Sequence, residues 1–429
     1  MEHRSEQNRR FADELRLPFR HSPRSLWLFF RWLIPAVLTG LIAGGAGVLF
    51  ARMMRMVTDF RMSHTWMIWF LPLGGLAIVG LYHLCGVLRP GGTNLVIQSV
   101  REGDDLPLIM APLIFVSTLI THLVGGSAGR EGAALQLGGS LGDGVGLLLR
   151  RNRADRVILM ISGMSGAFAA LFGTPLAATV LAMELTNIGV MYYAAIVPAT
   201  VAAIVAAAMA YAFGVPPITF PIPDVTILTF PTMCATLLLA MGCAGVAVLF
   251  CFSLRATEVV AQKWIANQYL RALVGGVVLL GLTWLCGTYD YLGLGQETIR
   301  RAFTGESEPW TFTMKILFTS VTLAAGFRGG EIVPAMFTGA TFGVFCGELM
   351  GLDASLAAGL GLISVFCGVT NAPLTSLILA MEMFHMASPT LFLLAISVSY
   401  MLSGYHGIWR AQKIVWSKTE QRHIDRSAE

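Results

Sequence analysis

The chain has 429 residues, of which 55% are hydrophobic and 13% charged, with a mean hydropathy of +0.69 and a formal net charge of +4. Soluble proteins carry about 25% charged residues, so this composition predicts a polytopic membrane protein whose first partner is the lipid bilayer. It excludes a soluble enzyme, and so small a net charge gives no reason to expect a nucleic acid as partner.

Long apolar segments follow one another along the whole chain. About 20 apolar residues cross a bilayer as a helix. The 46 glycines and 18 prolines indicate closely packed helices, some of them short or broken. We therefore expect an all-α polytopic membrane protein. The clearest candidate spans are 32–50, 66–86, 191–213, 228–253, 271–286 and 388–403.

Basic residues are concentrated at both ends of the chain. The positive-inside rule then places both termini in the cytoplasm of a multi-pass protein of the cell membrane. The polar leader has no signal-peptide pattern. The sequence ends soon after the last apolar segment, so we expect no soluble regulatory domain. The basic residues are Arg4, Arg9, Arg10, Arg16, Arg20 and Arg24 before the first span, and Arg410, Lys413, Lys418, Arg422 and Arg426 after the last.

Three segments recur in the same order about 200 residues later in the chain, which indicates an internal duplication. Secondary transporters are often built this way, with the binding site between the repeats near the middle of the membrane. Sequence identity does not determine whether the repeats are parallel or inverted. The matching segments are 91–104 with 293–306, 129–131 with 329–331, and 173–185 with 371–383.

The repeat divides the chain into four parts. A proline-rich stretch near 215–225 marks the boundary between the two halves. We expect a cytoplasmic N-terminal segment at 1–25, a first membrane repeat at 26–215, a second at 216–410, and a cytoplasmic C-terminal tail at 411–429.

Two glutamates occupy matching glycine-rich positions in the two repeats. Glu131 lies in Ser-Ala-Gly-Arg-Glu-Gly, and Glu331 lies in Phe-Arg-Gly-Gly-Glu-Ile-Val-Pro. Each precedes an apolar segment that is predicted to be helical, so each is expected near a helix N-terminus, where free N–H groups attract anions. A carboxylate in apolar surroundings is costly unless it is paired, protonated or hydrated. The pair therefore indicates a duplicated membrane protein that handles an anion.

These motifs, in this order and at these spacings, resemble the CLC family of anion channels and anion/proton antiporters over about residues 30–415. The resemblance implies an inverted repeat of broken helices and a homodimer with one anion pathway per subunit. It also implies that Glu131 is the gate that competes with the anion and carries the proton. The motifs are Gly-Arg-Glu-Gly at 129–132, Gly-Gly-x-x-x-Pro at 329–334, and the Pro-Leu…Glu helices at 175–184 and 373–382.

The chain departs from the chloride-transporting pattern of the family. Its first anion-binding motif reads Gly-Thr-Asn-Leu-Val at 92–96 instead of Gly-Ser-Gly-Ile-Pro. Ala133 replaces the proline after Gly-Arg-Glu-Gly, and Glu331-Ile332 replaces x-Phe in the second motif. The inner proton glutamate would align with Leu185, and the central tyrosine falls near Trp409.

These differences resemble the fluoride-exporting branch of the family. That resemblance implies a fluoride/proton antiporter; a chloride/proton antiporter or a passive chloride channel is the alternative. An intramembrane enzyme is not expected, because His122 is accompanied by no nucleophile or metal-ligand pattern. We expect no cofactor and no metal.

Fluoride is small and strongly hydrated, so its site must replace water with good hydrogen-bond donors. Backbone N–H groups at helix starts, a hydroxyl and a side-chain amide are suitable, as are aromatic ring edges. Asn94 is equally suited to be a helix N-cap. The anion-binding candidates are Gly92, Thr93, Asn94, Gly129, Arg130, Gly132, Gly330, Ile332 and Trp409.

Four glutamates receive separate predictions. Glu131 is predicted to be the gating residue, with a structural ion pair to Arg130 as the alternative reading. Glu331 has three open roles: relaying protons to Glu131, neutralising Arg328, or helping to bind a cation. Glu184 and Glu382 occupy matching repeat positions, and we expect them to hydrogen-bond to neighbouring helix termini.

Overall fold

The computed structural model describes residues 2–87, 91–222 and 228–428, with side chains from residue 26 onward. The basic side chains of the segment 1–25 lie outside this description. Within the described ranges there are sixteen α-helices. They are α1 Glu2–Ser63, α2 Leu71–Leu84, α3 Thr93–Glu102, α4 Met110–Val124, α5 Glu131–Leu148, α6 Arg153–Phe172, α7 Pro175–Glu184, α8 Ile196–Ala212, α9 Phe230–Trp264, α10 Gln268–Cys286, α11 Gln296–Phe303, α12 Thr311–Ala324, α13 Ile332–Leu349, α14 Ala354–Thr370, α15 Pro373–Met383 and α16 Pro389–Leu402.

The helices form a membrane protein with both full-length and short elements. Seven described helical segments are long and apolar enough to cross a membrane, and six more are apolar but only 10–17 residues long. Each apolar segment predicted from the sequence coincides with helical structure, so the prediction of an all-α membrane fold with broken helices is confirmed. The predicted boundary near 215–225 falls between α8 and α9, partly outside the described residues.

One face of the protein is identified by the docked C-terminal tail, and we call it the tail face. The side chain of Arg101, in the last turn of α3, donates to the Ala411 carbonyl at 2.6 Å. An ion pair of 2.6 Å links the loop after α3 to the first residue of α6. Arg31, near the start of the membrane part of α1, pairs with Asp155 of α6 at 2.6 Å. The end of α1 at Ser63 therefore lies at the opposite face.

The two repeats run in opposite directions. Helix α5 ends at the tail face, where the side chain of Arg151 just beyond it donates to the Arg31 carbonyl. Helix α13 ends at the opposite face beside α11, whose first residue Gln296 shares a cavity with Arg61 near the end of α1. The repeats are thus inverted, as the family resemblance implied.

Two glutamates join the repeats reciprocally. Glu184, the last residue of α7, accepts hydrogen bonds from the backbone N–H groups of Leu374 and Thr375 at 3.3 and 2.9 Å, and from the Thr375 hydroxyl at 2.7 Å. Glu382, near the end of α15, accepts two backbone N–H bonds at the start of α7, at 3.0 and 2.8 Å. Each carboxylate satisfies the free N–H groups of the other repeat, which confirms the role predicted for both residues.

The tail forms a small sheet that the sequence did not predict. Strand β1 (Asn187–Ile188) follows α7, and it pairs in parallel with β2 (Lys413–Trp416), which pairs antiparallel with β3 (His423–Ser427). Gln412 is buried just before β2 and donates to the carbonyls of Leu185 and Thr370 at 3.0 and 2.9 Å. Strands of two to five residues carry too little periodicity to be recognised in a sequence.

Substitution of Glu184 tests the reciprocal contact. Glu184→Ala leaves two N–H groups and a hydroxyl of α15 without partners in the interior, and such groups cost about 1–3 kcal/mol. We expect a lower midpoint of thermal unfolding for the purified protein in detergent. Glu348→Ala removes an exposed glutamate from α13 and should leave the midpoint unchanged. Equal midpoints for both variants would show that the Glu184 contact contributes nothing to stability.

Candidate functional site

The two glycine-rich loops pair with each other between the repeats. The N–H of Gly129 donates to the Gly330 carbonyl at 2.6 Å, and the N–H of Gly330 donates to the Gly129 carbonyl at 2.7 Å. Each loop leads directly into a helix, α5 at Glu131 and α13 at Ile332. The predicted position of both glutamates at helix N-termini is confirmed. The free N–H groups of two helices, one from each repeat, therefore lie side by side.

Glycine is needed at this junction because the loops approach each other too closely for a side chain. A β-carbon on Gly330 would lie 2.6 Å from the nitrogen of Gly132 and 3.1 Å from that of Glu131. A β-carbon on Gly129 would lie 2.6 Å from a carboxylate oxygen of Glu131. A β-carbon on Gly132 would lie 3.0 Å from the Thr93 hydroxyl. The glycine motifs thus serve the contact between repeats.

Glu131 is fully buried at this junction. Its Oε2 accepts a hydrogen bond from the Arg130 backbone N–H at 2.9 Å, and its Oε1 lies 3.7 Å from Arg130 Nε without a hydrogen-bond partner. The backbone N–H of Val333, in the first turn of α13, also interacts with the carboxylate. The ion pair with Arg130 is therefore present, and the carboxylate also occupies N–H groups that can bind an anion.

Thr93 and Gln136 form a polar group beside Glu131. Helix α3 begins at Thr93, whose hydroxyl lies 3.3 Å from the Gly132 carbonyl. Gln136 donates to the Thr93 oxygen at 3.3 Å and to the Gly132 carbonyl at 3.2 Å. Gln136 was not predicted from the sequence. In the sequence, the one indication of its role is that it is a single amide in an apolar helix, less than two turns after Glu131.

The structure excludes one of the two roles considered for Asn94, and the anion-binding role stays a prediction. The N-cap of α3 is Gly92, with φ of 59°, so the prediction that Asn94 is an N-cap is wrong. Asn94 lies in the first turn, where its Oδ1 accepts a hydrogen bond from the backbone N–H of Ala411 at 2.9 Å. The reason is that the docked tail supplies a donor that the sequence did not reveal.

A cavity of about 330 Å³ reaches this group from the tail face, and we call it the tail cavity. Its walls come from both repeats, up to Arg410 just before the tail. Three arginines and two glutamates are its charged lining residues. Phe327 contributes an aromatic ring to the lining. Arg255 and Glu258 of α9 were not predicted. The polar lining includes Gly92, Thr93, Asn94, Gln136, Arg255, Glu258, Arg328, Glu331 and Arg410.

Glu331 lies where this cavity meets the glycine loops. It is the N-cap residue of α13, and its Oε2 has no hydrogen-bond partner. Arg328 stacks on the ring of Tyr82 at 5.1 Å, and among the described residues no carboxylate lies within ion-pair distance of it. Glu331 therefore does not form an ion pair with Arg328, so the predicted direct neutralisation is not observed. The described residues also contain no group of three or more His, Cys, Asp or Glu suited to a metal ion.

A second cavity, of about 390 Å³, approaches from the opposite face, and we call it the opposite cavity. Arg130 lines it together with Arg55 and Arg300. Glu131 lines neither cavity: its neighbour Arg130 lines the opposite cavity, and Thr93, which lies beside Gly132, lines the tail cavity. The buried Glu131 carboxylate therefore lies between residues of the two cavities.

Two further predicted positions lie beside the tail cavity. Trp409 is buried, its indole Nε1–H has no hydrogen-bond partner, and its neighbours Ile408 and Arg410 line the cavity. Its role as an anion donor stays a prediction. Leu185, at the position of the family's inner proton glutamate, is buried and apolar.

The close approach at Gly330 can be tested directly. Gly330→Ala places a methyl group against backbone nitrogens that cannot move independently, and overpacking of this kind costs about 1–3 kcal/mol. We expect a lower unfolding midpoint and less monodisperse protein on size-exclusion chromatography. Gly281→Ala in α10 is the matched control, because its β-carbon meets nothing within 4 Å. A Gly330→Ala protein as stable as the control would contradict the packing argument.

Comparison with known proteins places this site in context. The family model described as voltage gated chloride channel matches residues 84–404. The chloride/fluoride channel protein of Pseudomonas syringae pv. tomato is 35% identical over 395 residues, which cover 90% of this chain and 87% of that protein. The H(+)/Cl(-) exchange transporter ClcA of Vibrio cholerae is 24% identical and covers 84% of each chain.

Solved structures show the same architecture. The crystal structure of a CLC-type fluoride/proton antiporter superposes with a TM-score of 0.86 at 31% identity, covering 89% of this chain and 98% of that one. A slow cyanobacterial Cl-/H+ antiporter superposes with a TM-score of 0.73 at 18% identity, covering 87% and 94%, which supports the fold alone.

Proposed function

The chain belongs to the voltage gated chloride channel family, and on that premise we propose that it exports fluoride in exchange for protons, with Glu131 as the proton-carrying gate. The observation that carries the proposal is the position of the buried Glu131 carboxylate between the tail cavity and the opposite cavity. A chloride/proton antiporter or a passive chloride channel of the same fold is the alternative.

The anion reaches the gate through the tail cavity. Arg255, Arg328 and Arg410 make this cavity attractive to anions, although Glu258 lies 3.4 Å from Arg410 and reduces its charge. At its inner end the hydroxyl of Thr93 and the amide of Gln136 can exchange their present acceptor, the Gly132 carbonyl, for an anion. The helix-start N–H groups at Gly132 and Ile332 complete the proposed binding site.

Glu131 acts as a gate because it is an anion that competes for the same donors. While ionised, its carboxylate stays on the N–H groups at the starts of α5 and α13. Once protonated, it loses this attraction and leaves the donors to a transported anion. One side chain therefore couples the movement of a proton to the movement of an anion.

We assign Glu331 the role of proton relay. It lines the tail cavity, its Oε2 lies 3.4 Å from the position of a β-carbon on Gly132, next to Glu131, and that oxygen has no partner. Leu185 has no ionisable group to carry protons along the family's usual inner route. Glu331 therefore supplies a carboxylate between the water of the tail cavity and the gate.

Fluoride is favoured over chloride by the donors available. A small, strongly hydrated anion needs short hydrogen bonds, which the hydroxyl of Thr93 and the amides of Asn94 and Gln136 provide. The relative with 35% identity is called a chloride/fluoride channel protein, and the structure with 31% identity is a fluoride/proton antiporter. Both comparisons support fluoride as the substrate.

We also propose the orientation and assembly of this multi-pass membrane protein. The tail face carries many basic side chains, so the positive-inside rule assigns it, with both termini, to the cytoplasm of the cell. Export then runs from the tail cavity to the opposite cavity. Assembly as a homodimer follows the family resemblance. The basic residues of the tail face include Arg31, Arg101, Arg150, Arg151, Arg153, Arg410 and Lys413.

Anion selectivity is the first of the transport predictions. Purified protein in liposomes loaded with fluoride or chloride should release fluoride at least about tenfold faster, which corresponds to a barrier difference of about 1.4 kcal/mol. Ion-selective electrodes measure the release, and an external pH electrode measures protons moving inward as fluoride leaves. Chloride release as fast as fluoride release would favour the alternative. Fluoride release without proton movement would indicate a channel.

Proton coupling by Glu131 is the second prediction. Glu131→Gln keeps the shape of the side chain but cannot exchange a proton, so fluoride-driven proton uptake should fall to the level of protein-free liposomes. The same liposome assay with a pH electrode measures it. Coupled proton movement that persists unchanged would show that Glu131 is not the carrier.

Two further variants separate the gate from its surroundings. Glu331→Gln should slow proton uptake while fluoride still binds, because it removes a relay and leaves the helix-start donors in place. Glu348→Gln is the control, since this exposed glutamate of α13 lies far along the helix from the glycine loops. Its proton uptake should equal that of the unmodified protein.

A further inference from the structure

A group of buried basic side chains lies toward the opposite face, away from the tail cavity. Arg61 comes from the end of α1, His122 from the end of α4, and Lys315 from the second turn of α12. Their exposed fractions are 8%, 1% and 0%. Buried basic side chains normally have a carboxylate beside them, because an unpaired charge in the interior is costly.

No carboxylate compensates this cluster among the residues that the structure describes. None of the three side chains takes part in an ion pair among these residues. Lys315 Nζ donates to the carbonyls of Tyr291 and Gly293 at 3.1 and 2.8 Å. These two carbonyl groups stabilise only the Lys315 ammonium group.

Two polar atoms of the cluster have no hydrogen-bond partner. They are Nε of Arg61 and Nδ1 of His122, both inside the protein. In a well-packed interior, nearly all buried polar atoms are paired, so an orphaned pair on neighbouring side chains needs an explanation. An anion between them would supply both an acceptor and the missing negative charge.

Gly293 lies against both of these side chains. A β-carbon on this residue would lie 3.0 Å from Arg61 Nη2 and 3.7 Å from His122 Nδ1. The residue has φ of 57°, a conformation that glycine adopts readily. The missing side chain therefore lets the guanidinium and the imidazole approach the same point of the backbone.

Internal symmetry gives this position a counterpart in the tail cavity. Gly293 matches Gly91 in the repeat, and Gly91 lines the tail cavity next to Thr93 and Asn94. Because the repeats are inverted, the equivalent loop of the second repeat lies at the opposite face. The cluster therefore lies beside the loop of the second repeat that corresponds to the Gly91 loop of the first repeat, which lines the tail cavity.

The cluster is also connected to the surface. Arg61 lines a cavity of about 360 Å³ between the end of α1 and the start of α11. The carboxylates on this cavity are Asp59, Asp290 and Glu297; Asp290 pairs with Arg301 at 2.7 Å, and the other two are exposed. None of them forms an ion pair with Arg61. An ion can therefore reach Arg61 from the opposite face.

We propose that Arg61, His122 and Lys315 bind one small monovalent anion beside Gly293, at a site separate from the one gated by Glu131. The site serves as a relay on the opposite side of the gate. His122 connects the two, because its Nε2 lies 3.5 Å from the carbonyl of Gly129 in the paired glycine loops.

Isothermal titration of sodium fluoride and, separately, sodium chloride into the detergent-purified full chain tests this site. Arg61→Met removes one cation, and Gly293→Ala presses a methyl group against the Arg61 guanidinium without changing charge. We expect each variant to lose one anion per chain, or to weaken that binding event at least about tenfold. The identity of the anion as fluoride rests on the proposed function, and the chloride titration covers the alternative.

Two control variants match these changes. Lys263→Met removes an exposed cation from the last turn of α9, outside the cavities described above. Gly287→Ala introduces the same kind of backbone strain, at φ of 65°, into open space. Both should bind as many anions as the unmodified protein. All variants are compared only as monodisperse protein, and His122→Ala provides a third test if Arg61→Met does not fold.

The outcomes are distinct from those of the transport assays. Loss of a binding event in the chloride titration alone would support the site and argue against fluoride as its anion. Unchanged titrations of both anions in Arg61→Met, Gly293→Ala and His122→Ala would overturn the site, whatever the liposomes transport. Loss of binding in the control variants to the same extent would also overturn it.

Discussion

The structure depends on the pair of backbone hydrogen bonds between Gly129 and Gly330. These bonds hold the starts of α5 and α13 next to each other, although the two helices belong to different repeats and run toward opposite faces. The N–H groups of two helix ends are thereby directed at one small volume, and Glu131 fills it. A side chain on Gly330 would separate the loops and disperse these donors.

Inversion of the repeats explains why contacts between them come in matched pairs. Glu184 binds the start of α15, and Glu382 binds the start of α7 in the same way. Short helices that begin inside the protein have free N–H groups that water cannot reach, so each repeat provides the acceptor that the other lacks. At the centre the same need is met by the Glu131 carboxylate, the residue that we propose as the gate.

Cationic and N–H groups exceed carboxylates along the proposed anion route. Three arginines line the tail cavity, Arg130 lies at the gate, and Arg61, His122 and Lys315 are buried beyond it. Unpaired buried cations cost free energy, which a transported or resident anion offsets when it binds. The same excess of donors suits fluoride, because a strongly hydrated ion enters only if its water is replaced.

The membrane class, the helical spans, the repeat and the helix-start position of both glutamates were determined by the sequence itself, because each depends on composition or on a few neighbouring residues. The tertiary structure alone decided which groups meet. It paired Gly129 with Gly330, placed Gln136 beside Thr93, gave Asn94 a partner at Ala411 and gathered three basic side chains around Gly293. These contacts join residues that are mostly far apart in the chain. No local pattern encodes them, since side chains from separate helices meet only after the helices have packed.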